Sequence, residues 1–332
     1  YNTPNQQAVA AKIATLEQAE QALLFASGMG AISTVILSQL QAGDHIIVTQ
    51  GGYGGTEDFM HNELPRLGIN VSFCGQGIND IESAITPKTR MIYVETPSNP
   101  LLSVMNLSEV ADLAKQYNCL SAVDNTFATP IGQQPLKLGI DISIHSATKY
   151  LGGHSDISAG AVASSAHLIQ SMQNTAVRYG ACLNAMDVWL LERSLKTLAL
   201  RIDRQSSVAL ELAEALERQD SIEATIYPGL SSHPDHSLAK SQMNNFGSML
   251  AFRLAPNINP DRFEANLRLI RSAVSLGGVE STVCRPCLTS HAKLPLKQRE
   301  ALGITSHLLR MSVGIESAQD LLADIQQAII KG

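Results

Sequence analysis

One lysine in this chain sits in surroundings suited to covalent chemistry. Ser146-Ala-Thr-Lys149-Tyr-Leu-Gly152-Gly153 follows the alternating segment Ile142 to Ile144, which reads as a short strand. A lysine amine attacks a carbonyl carbon only when neutral, so a catalytic lysine needs a site that suppresses its charge. Ser146 and Thr148 flank the approach and offer hydroxyl donors to an anion, and Gly152 and Gly153 leave room for a bulky group or a close backbone. An amine nucleophile beside donors for a phosphate suits a phosphorylated aldehyde bound as a Schiff base. The cofactor that fits is pyridoxal 5'-phosphate. Taken alone, the same residues also describe a surface lysine in a strand-to-loop turn.

Other residues carry compatible chemistry. Ala26-Ser-Gly28-Met29-Gly30 opens an apolar helical pattern, and free N–H groups at the positive end of a helix dipole form a phosphate seat. An ordinary loop-to-helix junction has the same composition. Tyr53 stands among Gly51, Gly52, Gly54 and Gly55 with little local core to join. It offers a face for a planar ring to stack on, or it is a partly buried turn residue. Asp124 closes a small apolar run; it caps a turn, or it keeps a pyridine nitrogen protonated so that the ring withdraws electrons from a substrate carbanion. Arg310 lies in the apolar strand pattern that begins at Leu308, where a lone arginine is costly unless paired. Its partner is a structural carboxylate or, in a bidentate clamp, the α-carboxylate of an amino-acid substrate.

A scaffold must bring these residues together. Helical spacing over Val9 to Leu24, then to Leu40, precedes a strand at His45 to Val48. A helix over Asp58 to Leu67, a strand near Val71 and a helix over Ile78 to Ile85 lead to a buried strand, Met91 to Val94. A helix over Ser108 to Tyr117 and the strand Leu120 to Val123 follow, then the strand that leads to Lys149. This alternation predicts an α/β fold with a mostly parallel, doubly wound sheet, whose ligands sit beyond the carboxyl ends of the strands. Asn99, Asp124 and Lys149 follow three successive strand ends. The amphipathic run from Ala185 to Arg201 predicts the start of a long helix joining a large domain, residues 1–205, to a smaller α+β domain, residues 206–332.

The bulk properties narrow the function. The chain has 332 residues, 45 % of them apolar and 16 % charged, enough for about two domains with a large core. A net charge of −6 without a basic cluster argues against nucleic acid. No apolar run is long enough to span a bilayer. Five scattered cysteines suit reduced thiols in the cytoplasm better than a disulfide framework. His233 and His236 have metal-like spacing, as do Cys284 and Cys287 with His291. Pro234 stiffens the first group into a turn without further ligands nearby, so no metal is expected there.

The lysine segment is similar to that of the pyridoxal-phosphate enzymes of cysteine and methionine metabolism, and the likeness runs over essentially the whole chain. That family contains the cystathionine lyases and synthases, methionine γ-lyase and the homoserine-ester sulfhydrylases. The resemblance implies the type I pyridoxal-phosphate transferase fold, with Lys149 in the Schiff base. It implies that the backbone of Gly28 and Met29 holds the phosphate, for which Ser146 and Thr148 offer the hydroxyl donors read above. Tyr53 stacks on the ring and assists proton transfer, Asn99 lies near its phenolic oxygen, and Asp124 belongs to a similar Asp-Asn-Thr126. Ser275 and Arg310 match the substrate-carboxylate contacts. The Cys284 to His291 stretch aligns without a gap to family segments lacking those cysteines, which again argues against zinc.

The same resemblance implies a homo-oligomer, a dimer of dimers with active sites at the subunit boundary. A Tyr-x-Arg phosphate clamp from a neighbouring subunit would precede Tyr1, so that role is not given to Tyr1. Ala185-Met186 stands where the family usually has Pro-Phe, close to the substrate approach. Glu280 resembles the cystathionine-using members, and a carboxylate there suits the far ammonium of cystathionine. Gly55 stands where methionine γ-lyases typically carry cysteine. The expectation is chemistry at Cγ of cystathionine or an acylated homoserine, by elimination or replacement. Cystathionine β-lyase, methionine γ-lyase and sulfhydrylase activities are alternatives, as is a non-catalytic binding protein. A nicotinamide oxidoreductase would need a G-x-G-x-x-G after the first strand, which is absent.

Overall fold

Runs of β-branched and small apolar residues lie side by side at the centre of the larger sheet. The computed structural model describes residues 2–292 and 296–331; Tyr1 lies outside them. The elements of the first half are α1 (Pro4–Glu17), β1 (Gln21–Phe25), α2 (Gly28–Gln39), β2 (His45–Thr49), α3 (Gly54–Asn62), β3 (Asn70–Cys74), α4 (Ile78–Ser83), β4 (Thr89–Glu95), α5 (Leu107–Gln116), β5 (Leu120–Asp124), α6 (Thr129–Gly132), β6 (Ile142–His145) and β7 (Gly160–Ser164). The strands form one sheet in the order β1-β7-β6-β5-β4-β2-β3. The neighbours from β6 to β3 pair in parallel. On one face Ile32, Val35 and Ile36 of α2 pack with Ile142, Ile144 and Val162. On the other, Val110 and Leu113 of α5 pack with Ile47, Ile92, Val94 and Val123. Both faces are therefore covered, as continuous apolar strands require.

The second half contains α7 (Ala166–Tyr179), α8 (Ala185–Leu195), α9 (Leu198–Glu217), β8 (Ile222–Ile226), α10 (His236–Gln242), β9 (Met249–Leu254), α11 (Pro260–Asn266), β10 (Arg271–Ser272), β11 (Thr282–Cys284), α12 (Leu296–Ala301), β12 (Leu308–Ser312) and α13 (Ala318–Lys331). A second sheet runs β10-β11-β12-β9-β8, antiparallel except for the β10–β11 pair. Val208, Leu212 and Leu216 of α9 and Leu321 and Ile325 of α13 cover it. Earlier on α9, Leu198 and Ile202 pack instead with Leu24, Tyr150 and Ala161.

The alternation is as the sequence predicts, with four local differences. The helix expected over Val9 to Leu24 stops at Glu17, because Gln18 turns left-handed at φ 58°. Residues 21–25 then become β1, paired antiparallel with β7, a strand of small residues with a weak local signal. The helix expected over Asp58 to Leu67 starts earlier, at Gly54, and ends at Asn62, followed by a separate 3-10 turn at Pro65–Leu67. The helix begun at Ala185 breaks at Lys196 and Thr197. There the Arg201 guanidinium bonds Ser194 O and Thr197 Oγ1, each at 3.1 Å, and reaches Tyr150 O at 2.8 Å. The His233 to His236 segment is a loop in which Asp235 Oδ2 accepts the Val104 N–H and His236 Nδ1 lies 2.9 Å from Pro228 O. The five cysteines are free thiols, and Arg285 between Cys284 and Cys287 pairs with Asp261 and Glu264.

Gly160 lets β7 lie against the start of α2. A Cβ there would fall 2.2 Å from Ser27 O and 3.0 Å from Ala31 Cβ. Gly160→Ala is expected to lower the unfolding free energy by about 2 kcal/mol or more. A urea midpoint equal to wild type would show that the contact is not constraining.

Candidate active site

The carboxyl ends of β4, β5 and β6 open toward the start of α2. The N-cap Ser27 of α2 accepts the Gly30 N–H at 3.0 Å, and among the described residues no protein group accepts the amides of Gly28 and Met29. Gly28 faces Ser146 so closely that a Cβ would lie 2.9 Å from both Ser146 Cβ and Oγ. A helix N-terminus, two free amides and a hydroxyl thus surround a small space suited to a phosphate. The Thr148 hydroxyl differs from Ser146: it donates to Ala159 O at 3.1 Å and accepts the Ala159 N–H at 3.0 Å. Thr148 therefore ties the lysine loop to the segment entering β7.

Lys149 follows β6 in a turn closed by its own N–H to Ser146 O at 3.0 Å and by the Gly153 N–H to Lys149 O at 2.7 Å. Its Nζ donates to Ser275 Oγ at 3.2 Å. Gly277 allows this approach: it sits at φ +81°, and a Cβ there would fall 2.8 Å from Tyr150 N and 3.2 Å from Lys149 Cα. Burial first, and the nearby Arg310 cation second, lower the pKa of the Lys149 amine. This is the charge suppression a nucleophilic lysine needs.

Asp124, at the end of β5, is 5 % exposed. Its Oδ1 accepts the Thr126 N–H at 3.0 Å and the Thr126 hydroxyl at 2.5 Å, and Thr126 Oγ1 accepts the Ser146 N–H at 2.8 Å. Burial raises its pKa, and the Thr126 bonds oppose that rise. Tyr53, half exposed, is the N-cap residue of α3 and donates its N–H to Glu95 Oε2 at 2.7 Å. A Cβ at Gly55 would lie 2.5 Å from the Tyr53 ring, so any larger residue there displaces the ring.

Arg310 is 4 % exposed on β12, and its guanidinium donates to Asn99 Oδ1 and Val274 O, each at 2.9 Å. Among the described residues no carboxylate lies within ion-pair distance of it. A buried cation bonded only to neutral acceptors is ready for an incoming anion. Glu280 Oε1 accepts the Ser155 hydroxyl at 2.6 Å. Ser155 belongs to the loop after Lys149.

The structure thus gathers Lys149 with Ser275, Asp124 with Thr126 and Ser146, and Asn99 with Arg310. It also adds residues the sequence reading passed over. Glu95 ends β4 as Asp124 ends β5. Glu17 and His145 form a buried pair at 2.5 Å beneath the site, joined by Asn125 at 3.1 Å. Only the position of Glu95 at a parallel strand end was a usable sequence signal.

The lowered Lys149 pKa has a measurable sign. In the cofactor-free protein, amine-selective labelling of Lys149, followed by peptide mass spectrometry, is expected to rise at lower pH than for an exposed lysine. Arg310→Ala removes a repelling cation and should move that rise to higher pH. An ordinary lysine profile, indifferent to Arg310, would contradict the geometry.

The chain has close relatives. It is 44 % identical to a cystathionine β-lyase of Lactococcus lactis subsp. cremoris over 333 aligned positions, covering 99 % of this chain and 87 % of that protein. It is 44 % identical to a cystathionine γ-lyase of Bacillus subtilis over 328 positions, covering 98 % and 86 %. The crystal structure of a cystathionine γ-lyase from Lactobacillus plantarum, complexed with L-serine, superposes with a TM-score of 0.96 at 41 % identity, covering 99 % of this chain and 87 % of the other. Residues 1–330 match the Cys/Met metabolism PLP-dependent enzyme family. The free amides opening α2 beside the Ser146 hydroxyl and the half-buried, charge-suppressed lysine fit that cofactor, and the chain belongs to this family of pyridoxal-phosphate-dependent enzymes of cysteine and methionine metabolism.

Proposed function

We propose that this enzyme cleaves the Cγ–S bond of cystathionine, or displaces the γ-substituent of an acylated homoserine. The observation that carries the reading is Arg310, a buried guanidinium with neutral partners only, set among the groups around Lys149. An amino-acid carboxylate completes its bonding. Pyridoxal phosphate, when bound, withdraws electrons from the α-carbon of the substrate. The backbone amides of Gly28 and Met29 and the Ser146 hydroxyl would hold its phosphate, with Thr148 fixing the loop. Asp124, steadied by Thr126, would face the ring nitrogen, and Tyr53 would cover the ring, with Asn99 beside it. Lys149 would carry the covalent link, and its Nζ, once free, would take protons from Cα and then Cβ as the substituent leaves Cγ, the departing sulfur taking up a proton. Ser275 lies close enough to Nζ to orient it and to share the substrate carboxylate with Arg310.

Glu280 is the specificity residue of this reading, directed at the distal ammonium of cystathionine. Its bond to Ser155 holds the carboxylate on the loop that follows Lys149. Gly55 counts against methionine γ-lyase, whose resembling position is typically cysteine. A β-elimination reading also has support, because the β-lyase and γ-lyase relatives are equally similar. A homo-oligomer, a dimer of dimers, belongs to the proposal; exposed Tyr179, Met186, Trp189 and Leu200 are consistent with covered surface. A cytoplasmic setting fits five free thiols.

Turnover on a panel of cystathionine, cysteine, methionine and acylated homoserines is the direct test. Cystathionine is expected to yield cysteine by γ-elimination, and Glu280→Ala to weaken cystathionine use far more than cysteine use. Pyruvate from cystathionine without γ-elimination would replace this reading by the β-lyase one. Asp124→Asn is expected to keep some cofactor binding but to lose roughly 10²-fold or more in rate. Near-normal turnover would remove Asp124 from its proposed role.

A further inference from the structure

A pair of buried carboxyl groups lies behind the Tyr53 loop. β4 and β5 are parallel neighbours, and Glu95 is the register partner of Asp124. Both side chains leave the sheet on one face, about 5 Å apart at the backbone. Glu95 is 6 % exposed, as closely sealed as Asp124. Two like charges so placed in a poorly solvated site cannot both ionise cheaply, so ionising one opposes ionising the other.

The donors decide which group keeps its proton. Asp124 accepts two hydrogen bonds from Thr126, faces the Tyr93 hydroxyl at 3.5 Å, and has His145 near enough to favour its anion. Glu95 accepts one bond among the described residues, from the Tyr53 N–H. Around it stand Asp124 on β5, Glu57 on α3, Tyr93 on its own strand and Arg310 on β12. Two carboxyl groups thus oppose a single guanidinium that is already bonded to Asn99 and Val274. Burial first, then Asp124, push the Glu95 carboxyl well above the usual glutamate range.

We propose that Glu95 is a positioning residue of this site, a neutral carboxylic acid whose Oε2 holds the backbone at Tyr53 and whose lack of charge leaves Asp124 the single anion of the pair. Gly52 fits this arrangement. A Cβ there would lie 3.1 Å from Glu95 Oε2, so glycine lets the loop settle directly on the carboxyl. The same loop is tied by the Gly51 N–H to Glu57 Oε1 at 3.2 Å and by the Asn99 N–H to Gly51 O at 2.9 Å. Tyr53 is thereby held in register with Asn99 and Asp124. The inference rests on the proposed places of Tyr53 and Asp124 about the cofactor. The location of the proton does not, and it is read in the cofactor-free protein.

Wild type, Glu95→Gln and Glu95→Ala are compared. In cofactor-free protein at neutral pH, the infrared carbonyl stretch of a protonated carboxyl is expected in wild type and is expected to be lost in Glu95→Gln. Titration with pyridoxal phosphate should show roughly tenfold weaker binding in Glu95→Ala, where the acceptor for the Tyr53 N–H is gone. Glu95→Gln is neutral at every pH and keeps that acceptor, so it should recover most of the loss. No infrared difference, a Glu95→Ala that binds like wild type, or a Glu95→Gln that binds as poorly as Glu95→Ala or fails to fold would overturn the proposal. If the infrared and titration results hold while Asp124→Asn turns over normally, the role of Asp124 fails and the assignment of the proton to Glu95 stands.

Discussion

The hydroxyl of Thr126 joins the two halves of the active site. It donates to Asp124 at 2.5 Å and accepts the Ser146 N–H at 2.8 Å. One side chain thus sets the distance between the carboxylate after β5 and the small residues after β6. That distance matters to the proposed cofactor site, where a planar ring and its phosphate would meet both ends at once. The β5–β6 register brings Asp124 level with Ile144, and the hydroxyl then spans the gap beyond the last ladder bond. Everything else in the site is arranged around that span: α2 faces Ser146, the Tyr53 loop lies near Asp124, and Arg310 approaches from the second sheet.

Behind this layer lies a set of buried polar groups with structural work to do. Glu17 of α1 meets His145 at the end of β6, and Asn125 and Gln133 continue the chain of bonds. Buried ionisable pairs contribute little net stability, but removing one partner is strongly destabilising, so they fix geometry. Arg201 acts similarly. It is buried, and its guanidinium bonds carbonyl and hydroxyl oxygens only, gripping Tyr150 O next to Lys149. A Cβ on Gly153 would lie 2.0 Å from that guanidinium, which explains the second glycine of the pair after Leu151. The lysine loop is therefore clamped by α9, and the break between α8 and α9 supplies part of the clamp.

The second sheet brings the groups proposed to face the substrate. Arg310 comes from β12, while Ser275 and Glu280 come from the segment between β10 and β11. Their contacts are with Asn99, Lys149 and Ser155 of the first sheet's loops. The groups proposed for cofactor and substrate are thus divided between two sheets, and α9 packs in the cores beside both.

Much of this was legible in the residues alone. The α/β alternation, the helix start at Gly28 and the strand ends at Asn99, Asp124 and Lys149 follow from periodicity, caps and glycine placement, which are local properties. The small-residue strand β7 and its partner β1 were not legible, since Gly160-Ala-Val-Ala-Ser164 has weak strand propensity and gains its structure only by pairing. The break after Leu195 depends on Arg201 finding Tyr150, which helical spacing does not encode. Thr148 and Glu95 make the same point at the site. By its composition Thr148 was an anion donor, and its partner Ala159 is eleven residues away. Local pattern already fixes which chemical groups stand at the strand ends. Which of them meet across a shared hydroxyl or beside a cation follows from the packed fold, because register across parallel strands and contacts such as Arg310 with Asn99, 211 residues apart, are set by packing and not by local pattern.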